Sequence, residues 1–252
     1  MTWLYDAHIH LSDPAYDNDR DLILKAMERM KIKACCVSSD YEDSKKTLIL
    51  AKENNLIFPF VGIHPQASPD QIENLTKMIE EQKDEITGIG EIGLDPTYVD
   101  DGNMTEQLHA FETLLSIAEK YDKPVSIHSR KSLDQVLETL SSFNLTKVLL
   151  HWFDGNKKQL RKTLEKDYFV SYGPVMVYAN DKQSLLARTD LDKILVETDG
   201  PVRFSGCFGF KTAQVSFIPS VVFCASKILR MDYDKLATVL EDNTKRFLGI
   251  YV

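Results

Sequence analysis

The chain has 252 residues, 43% hydrophobic and 27% charged, which excludes a disordered or collagen-like polymer and fits a globular protein. Thirty basic against 38 acidic residues leave a net charge of -8, which argues against holding nucleic acid or an anionic membrane by bulk charge. Four cysteines without a CxxC pair, no run of ~18 apolar residues and no basic-then-apolar leader in MTWLYDAHIH predict no disulfide framework, no membrane span and no secretory signal, hence a cytoplasmic protein.

Short runs rich in Val, Ile and Leu predict strands at Leu4–Ile9, Ala34–Val37, Ile57–Gly62, Thr87–Glu91, Val125–His128, Val148–His151, Phe169–Ser171 and Ile194–Glu197. Segments with helical spacing lie between them. Leu22, Ala26, Met27 and Met30 form one apolar stripe, and Leu108, Phe111, Leu115 and Ala118 form another. Asp19, Ser68 and Asn156 stand where helix caps are expected, and Gly200–Ala213 reads as a long loop. Eight strands alternating with helices predict an α/β fold, a single (β/α)8 TIM-type barrel over residues 1–252. An open doubly wound sheet would need a Gly-rich phosphate loop after the first strand, and none is there.

Five of the six histidines, His8, His10, His64, His128 and His151, fall at or near the ends of predicted strands; His109 alone falls inside a helix. In such a barrel the carboxyl ends of the strands form the active-site mouth. His8 and His10, two apart in a strand, point to one side, with Asp6 on the same face as a ligand or a brace. Glu91, in IGEIGLD, and Asp199, in LVETDGP, add carboxylates at the same edge. Imidazole with carboxylate suits Zn, Mn, Fe, Co or, less readily, Mg. The six candidate ligands His8, His10, Glu91, His128, His151 and Asp199 are too many for one open tetrahedral site and suit two ions bridged by a carboxylate.

These residues sit in stretches that resemble the TatD family of metal-dependent hydrolases, within the amidohydrolase superfamily. The stretches are DAHIHL (Asp6–Leu11), GIHP (Gly62–Pro65), GEIGLD (Gly90–Asp95), IHSR (Ile127–Arg130), HWFDG (His151–Gly155) and ETDGP (Glu197–Pro201), followed by Asn243, Arg246 and Phe247. The resemblance implies a barrel carrying a two-metal phosphodiesterase, commonly a deoxyribonuclease. By that resemblance His8, His10 and Asp199 hold one divalent ion (Zn, Mg or Mn), His128 and His151 hold a second, and Glu91 bridges. His64 and Arg130 contact a phosphate. Glu91 takes the place of the carbamylated lysine of many superfamily relatives. Gly200 stands where the family more often has Ala or Ser, Pro96 where an aromatic is usual, and the loop Val202–Phe210 departs from the pattern.

The reading that follows is a two-metal hydrolase of DNA, an exonuclease on single-stranded ends, with Asp199 and Glu91 as catalytic carboxylates and no obligate protein partner. A hydrolase of amide or ester bonds in small molecules or aminoacyl-tRNA uses the same ion pair, and a non-catalytic metal-binding scaffold is the third possibility. Lys131, Arg203 and Lys211 are expected either to meet phosphates or to be solvated surface charges. Trp152, Phe153, Phe204, Phe208 and Phe210 are expected either to stack a base or to pack the loops. Cys207 has no base assigned to activate it.

Overall fold

The computed structural model describes residues 2–99 and 104–250. Eight parallel strands form one sheet in sequential order: β1 (Leu4–Ile9), β2 (Ile32–Cys36), β3 (Ile57–Val61), β4 (Gly88–Gly93), β5 (Val125–His128), β6 (Val148–Leu150), β7 (Phe169–Tyr172) and β8 (Ile194–Val196). The helices are α1 (Arg20–Met30), α2 (Tyr41–Glu53), α3 (Ile72–Gln82), α4 (Thr105–Lys120), α5 (Leu133–Leu140), α6 (Lys157–Glu165), α7 (Asn180–Leu186), α8 (Ile218–Ile228) and α9 (Tyr233–Leu248). Past β8 the chain returns to β1: Asp199 N–H donates to His8 O (2.9 Å) and His10 N–H donates to Gly200 O (2.8 Å). The predicted α/β barrel is the observed one. No helix among the described residues is long and apolar enough to cross a membrane.

Strands buried on both faces explain the near-continuous apolar runs. Adjacent Cys35 and Cys36 point to opposite faces, Cys35 into the barrel interior and Cys36 toward the helices. Both are free, as are Cys207 and Cys224. At the amino end of the strands α9 closes the interior: Phe247 lies 5.9 Å from Phe60 and 5.8 Å from Phe169, ring centre to ring centre. On the same helix Asn243 Nδ2 donates to the carbonyls of Leu191 and Ile194, and Arg246 donates to Asn243 Oδ1. The terminal motif residues therefore tie down β8 and plug one end of the barrel, leaving the carboxyl end open.

Several local expectations are corrected. The buried stripe of α1 is Ile23 and Met27, while Leu22 (68% exposed) and Met30 face solvent. Asn156 forms a full capping box with Gln159, but Asp19 and Ser68 make no side-chain cap bond. Asp19 already has near-helical backbone (φ -118°, ψ -5°), so its carboxylate does not fold back over the first turn. Strand β4 runs past Glu91 to Gly93, because Gly93 pairs with His128 of β5. Gly93 has φ 148°, and a Cβ there would overlap the His128 carbonyl, so only glycine permits the approach. The loop after β8 is pinned by an Arg203–Thr212 bridge and a 3-10 turn at Gly206–Phe208. At its start the Tyr16 hydroxyl donates to Ala213 O, and a Cβ on Gly200 would overlap both.

Candidate metal centre

Two strands that carry the cluster change register beside it, β1 between Asp6 and Ile9 and β4 between Ile89 and Ile92. Such bulges re-aim side chains. Before the shift in β1, Tyr5 and Ala7 pack into the interior; after it, His8 and His10 reach the centre of the mouth. Asp6 does not join them. Its carboxylate accepts from Thr198 N–H (2.9 Å), Thr198 Oγ1 (2.5 Å) and His8 N–H (3.3 Å), so it braces β1 against the segment carrying Asp199. Asp199 itself has a left-handed backbone, φ 49°, a conformation Asp tolerates better than most residues and one often kept at functional sites.

Glu91 is the hub. Its Oε1 lies 2.8 Å from His128 Nδ1, 2.8 Å from His151 Nε2 and 3.5 Å from His64 Nε2. Its Oε2 lies 3.1 Å from His10 Nε2 and 3.3 Å from His8 Nε2. Asp199 Oδ1 lies on the latter side, 3.5 Å from His8 Nε2 and 3.8 Å from His10 Nε2. One carboxylate thus sorts the histidines into two groups, one per oxygen.

The outer contacts set which imidazole nitrogen faces inward with a lone pair. His8 Nδ1 bonds Ser126 Oγ (2.8 Å), and its Nε2, fully buried, has no hydrogen-bond partner among the described residues. His128 Nε2 donates to Asp95 Oδ2 (2.9 Å), which turns its Nδ1 toward Glu91. Two facing acceptors at 2.8 Å require a cation between them, a proton or a metal ion. An orphaned buried nitrogen and nitrogen and oxygen donors converging on a carboxylate fit divalent ions. His64 differs: its Nδ1 accepts from Gln66 N–H (3.1 Å), so the neutral ring presents Nε2–H, a donor, to the centre. Geometry groups His8 with His10 and Glu91, His8 with His151 and Asp199 across the division made by Glu91, and His64 with Glu91 and His128, but a protonated Nε2 of His64 is no ligand.

Burial disfavours charge throughout the cluster, and the local partners decide the outcome. Burial opposes ionisation of Glu91, yet the surrounding histidines hold it well below the carboxylate range. Burial would neutralise His151, but Glu91 holds its pKa up at about 9, and His10 is raised in the same way. Burial with the neighbouring His151 pushes His8 well down, and burial brings His64 to about 4. Burial lifts Asp199 to about 6 despite the nearby His151.

The structure brings together all eight residues singled out in the sequence: the six candidate ligands, His64, and Arg130 on the wall of the same cavity. Three supporting groups escape sequence reasoning. Asp95, inside GEIGLD, orients His128; Ser126 orients His8; and Glu197, in ETDGP, accepts from Ser171 Oγ (2.5 Å) and Trp152 N–H (2.7 Å) beside His151. Burial pushes Glu197 up to about 8. Of the aromatics at this edge, Phe153 and Phe204 are buried in loop packing, Trp152 lines the cavity and Phe210 is exposed. Cys207 is exposed and stands outside the cavity lining.

Residues 5–249 match the family model described as TatD related DNase, and the chain belongs to that family. It is 29% identical over 213 residues to human deoxyribonuclease TATDN3, covering 79% of this chain and 78% of the relative. It is 24% identical over 254 residues to the Bacillus subtilis uncharacterized metal-dependent hydrolase YabD, covering 98% and 99%. The crystal structure of YjjV, a TatD homologue from Escherichia coli, has the same fold, with a TM-score of 0.91 at 24% identity and 98% of each chain covered.

Proposed function

We propose that this TatD-family chain is a metal-dependent hydrolase of ester bonds whose substrate is DNA, cleaved as an exonuclease acts, at single-stranded ends. The carrying observation is the division of the histidines between the two oxygens of Glu91. It supports a dinuclear centre in which His8, His10 and Asp199 would hold one ion (Zn, Mg or Mn), His128 and His151 would hold the other, and Glu91 would serve both. When bound at such a centre, divalent ions supply Lewis acidity and a water of lowered pKa.

The chain's own residues do the rest. Asp199, whose Oδ1 lies 3.5 Å from His8 Nε2 and 3.8 Å from His10 Nε2, stands where it can accept a proton and return it to the leaving oxygen. His64 donates its Nε2–H to a non-bridging phosphate oxygen, and Arg130 adds a planar cation at the mouth. The cavity, about 500 Å³, has the size of a small-ligand site and suits a chain end better than a continuous duplex. With a net charge of -8, binding is local, and activity should fall steeply with salt. The same cavity size keeps a small ester or amide, or an aminoacyl-tRNA end, as the second reading.

One preparation loaded in turn with Mg, Mn and Zn, and assayed on single-stranded DNA, duplex DNA and aminoacyl esters, tests this. Release of nucleotides from single-stranded ends is expected, with about two ions per chain by elemental analysis. One ion or none at saturation would remove the dinuclear assignment, and ester cleavage without DNA cleavage would favour the second reading. His64→Ala and Arg130→Ala should weaken catalysis at unchanged metal content. Loss of metal from His64→Ala would make it a ligand.

A further inference from the structure

Three side chains that hold no metal share the cavity above the cluster. Tyr98 ends the turn after β4, Arg130 lies two residues past β5, and Trp152 lies two residues past β6. Because β4, β5 and β6 are neighbours, the three follow one another around the rim as aromatic, cation, aromatic.

Each is held in place. The Pro96–Tyr98 turn is capped by Asp95 Oδ1, which accepts from Thr97 N–H (2.8 Å) and Thr97 Oγ1 (2.6 Å), while Oδ2 of the same carboxylate binds His128. The Tyr98 ring then meets His64 edge-on at 5.5 Å. Trp152 has a left-handed backbone, φ 40°, and its ring rests on buried Phe204 at 5.3 Å. Tyr98 is 40% exposed. Arg130 is exposed and has no ion-pair partner among the described residues, whereas Asp154 on the same rim is paired with Lys182. An unpaired guanidinium between two rings on fixed supports is a site prepared for a flat, anionic ligand.

We infer that Tyr98, Arg130 and Trp152 form the subsite for one nucleotide unit, Arg130 taking its phosphate and the two rings taking the faces of its unpaired base. The inference rests on the phosphodiesterase reading and narrows it. A base inside a duplex is already stacked on both faces and is not available to side chains, so an unpaired base is required. Ring stacking reads the π-face common to all bases, so the subsite should accept all four.

The chain has two tryptophans, so Trp3→Phe leaves Trp152 as the only tryptophan, read selectively by exciting at the red edge where tyrosine does not absorb. Zn-loaded protein of this variant is titrated with thymidine 5′-monophosphate and with 2-deoxyribose 5-phosphate. The nucleotide should quench Trp152 and bind about tenfold tighter than the sugar phosphate, the value of one stacked base. By calorimetry, Tyr98→Leu and Trp152→Leu should each narrow that gap, Tyr98→Phe should keep it, and Arg130→Gln should weaken both ligands alike. Equal binding of the two ligands, or a gap that survives both leucine variants, overturns the inference. A gap in a protein that cleaves no DNA would leave the subsite standing and the nuclease reading refuted; cleavage without a gap would do the reverse.

Discussion

The two ends of the barrel are built from the same eight strands to opposite rules. At the amino end, Phe247 drops between Phe60 and Phe169, and the Asn243 amide beside it is satisfied by two main-chain carbonyls. At the carboxyl end, five imidazoles crowd around one carboxylate, and His8 Nε2 is left without a hydrogen-bond partner among the described residues. Buried polar atoms without partners are costly, so that end is tolerable only because the other is well packed. Stability and chemistry are thus separated along the barrel axis.

The separation can be broken from either side. The largest effect is expected at Asp199→Asn, which keeps the shape and one neutral oxygen but cannot accept a proton. Turnover should fall about 10²–10⁴-fold while metal content recovers at high metal concentration. Near wild-type turnover with metal bound would leave Asp199 as a ligand only. At the other end, Phe247→Ala should cost about 3–5 kcal/mol of unfolding free energy in denaturant titrations, with turnover per folded molecule unchanged. If turnover fell as well, the two ends would not be independent.

A smaller effect is expected from Asp95→Asn, which releases the His128 ring without touching its inward nitrogen. Metal affinity or activity should drop about 10–100-fold, with melting temperature little changed. An unaltered metal dissociation constant would deny Asp95 that orienting role. The mildest probe uses protons. His151, held at about 9, is cationic at pH 7 in the metal-free chain, and a metal ion needs it neutral; His10 is shifted in the same direction. Loading with Zn at pH 7 should therefore release protons to an indicator dye, and apparent affinity should rise with pH toward about 9. Silent loading would mean these rings do not ligate.

Both ends are partly legible in the amino-acid sequence. The strands announce themselves because burial on two faces leaves uninterrupted Val, Ile and Leu, and the histidines gather at one edge because those strands are parallel. The bulges in β1 and β4 carry no sequence mark, so strict alternation puts Asp6 on the face of His8 and His10, where it does not lie. Asp95 and Ser126 are invisible to local patterns because their bonds to His128 and His8 cross between strands 33 and 118 residues apart in sequence. The stripe of α1 is misphased for another reason. Leu22, Ile23, Leu24, Ala26, Met27 and Met30 are all apolar in a helix of 11 residues, so periodicity alone does not select Ile23 and Met27.

Gly200 has a historical consequence. The Tyr16 hydroxyl and the carbonyl it holds, Ala213 O, occupy the space that a methyl group on residue 200 would need. The two positions are therefore contingent on each other across generations. A lineage with Tyr16 is barred from gaining alanine at 200 until the hydroxyl is lost and the Ala213 carbonyl is free to move. One starting from alanine could not have acquired this tyrosine first. Gly200→Ala should therefore be harmful in the chain that keeps Tyr16 and better tolerated after Tyr16→Phe, so the order of the two changes matters.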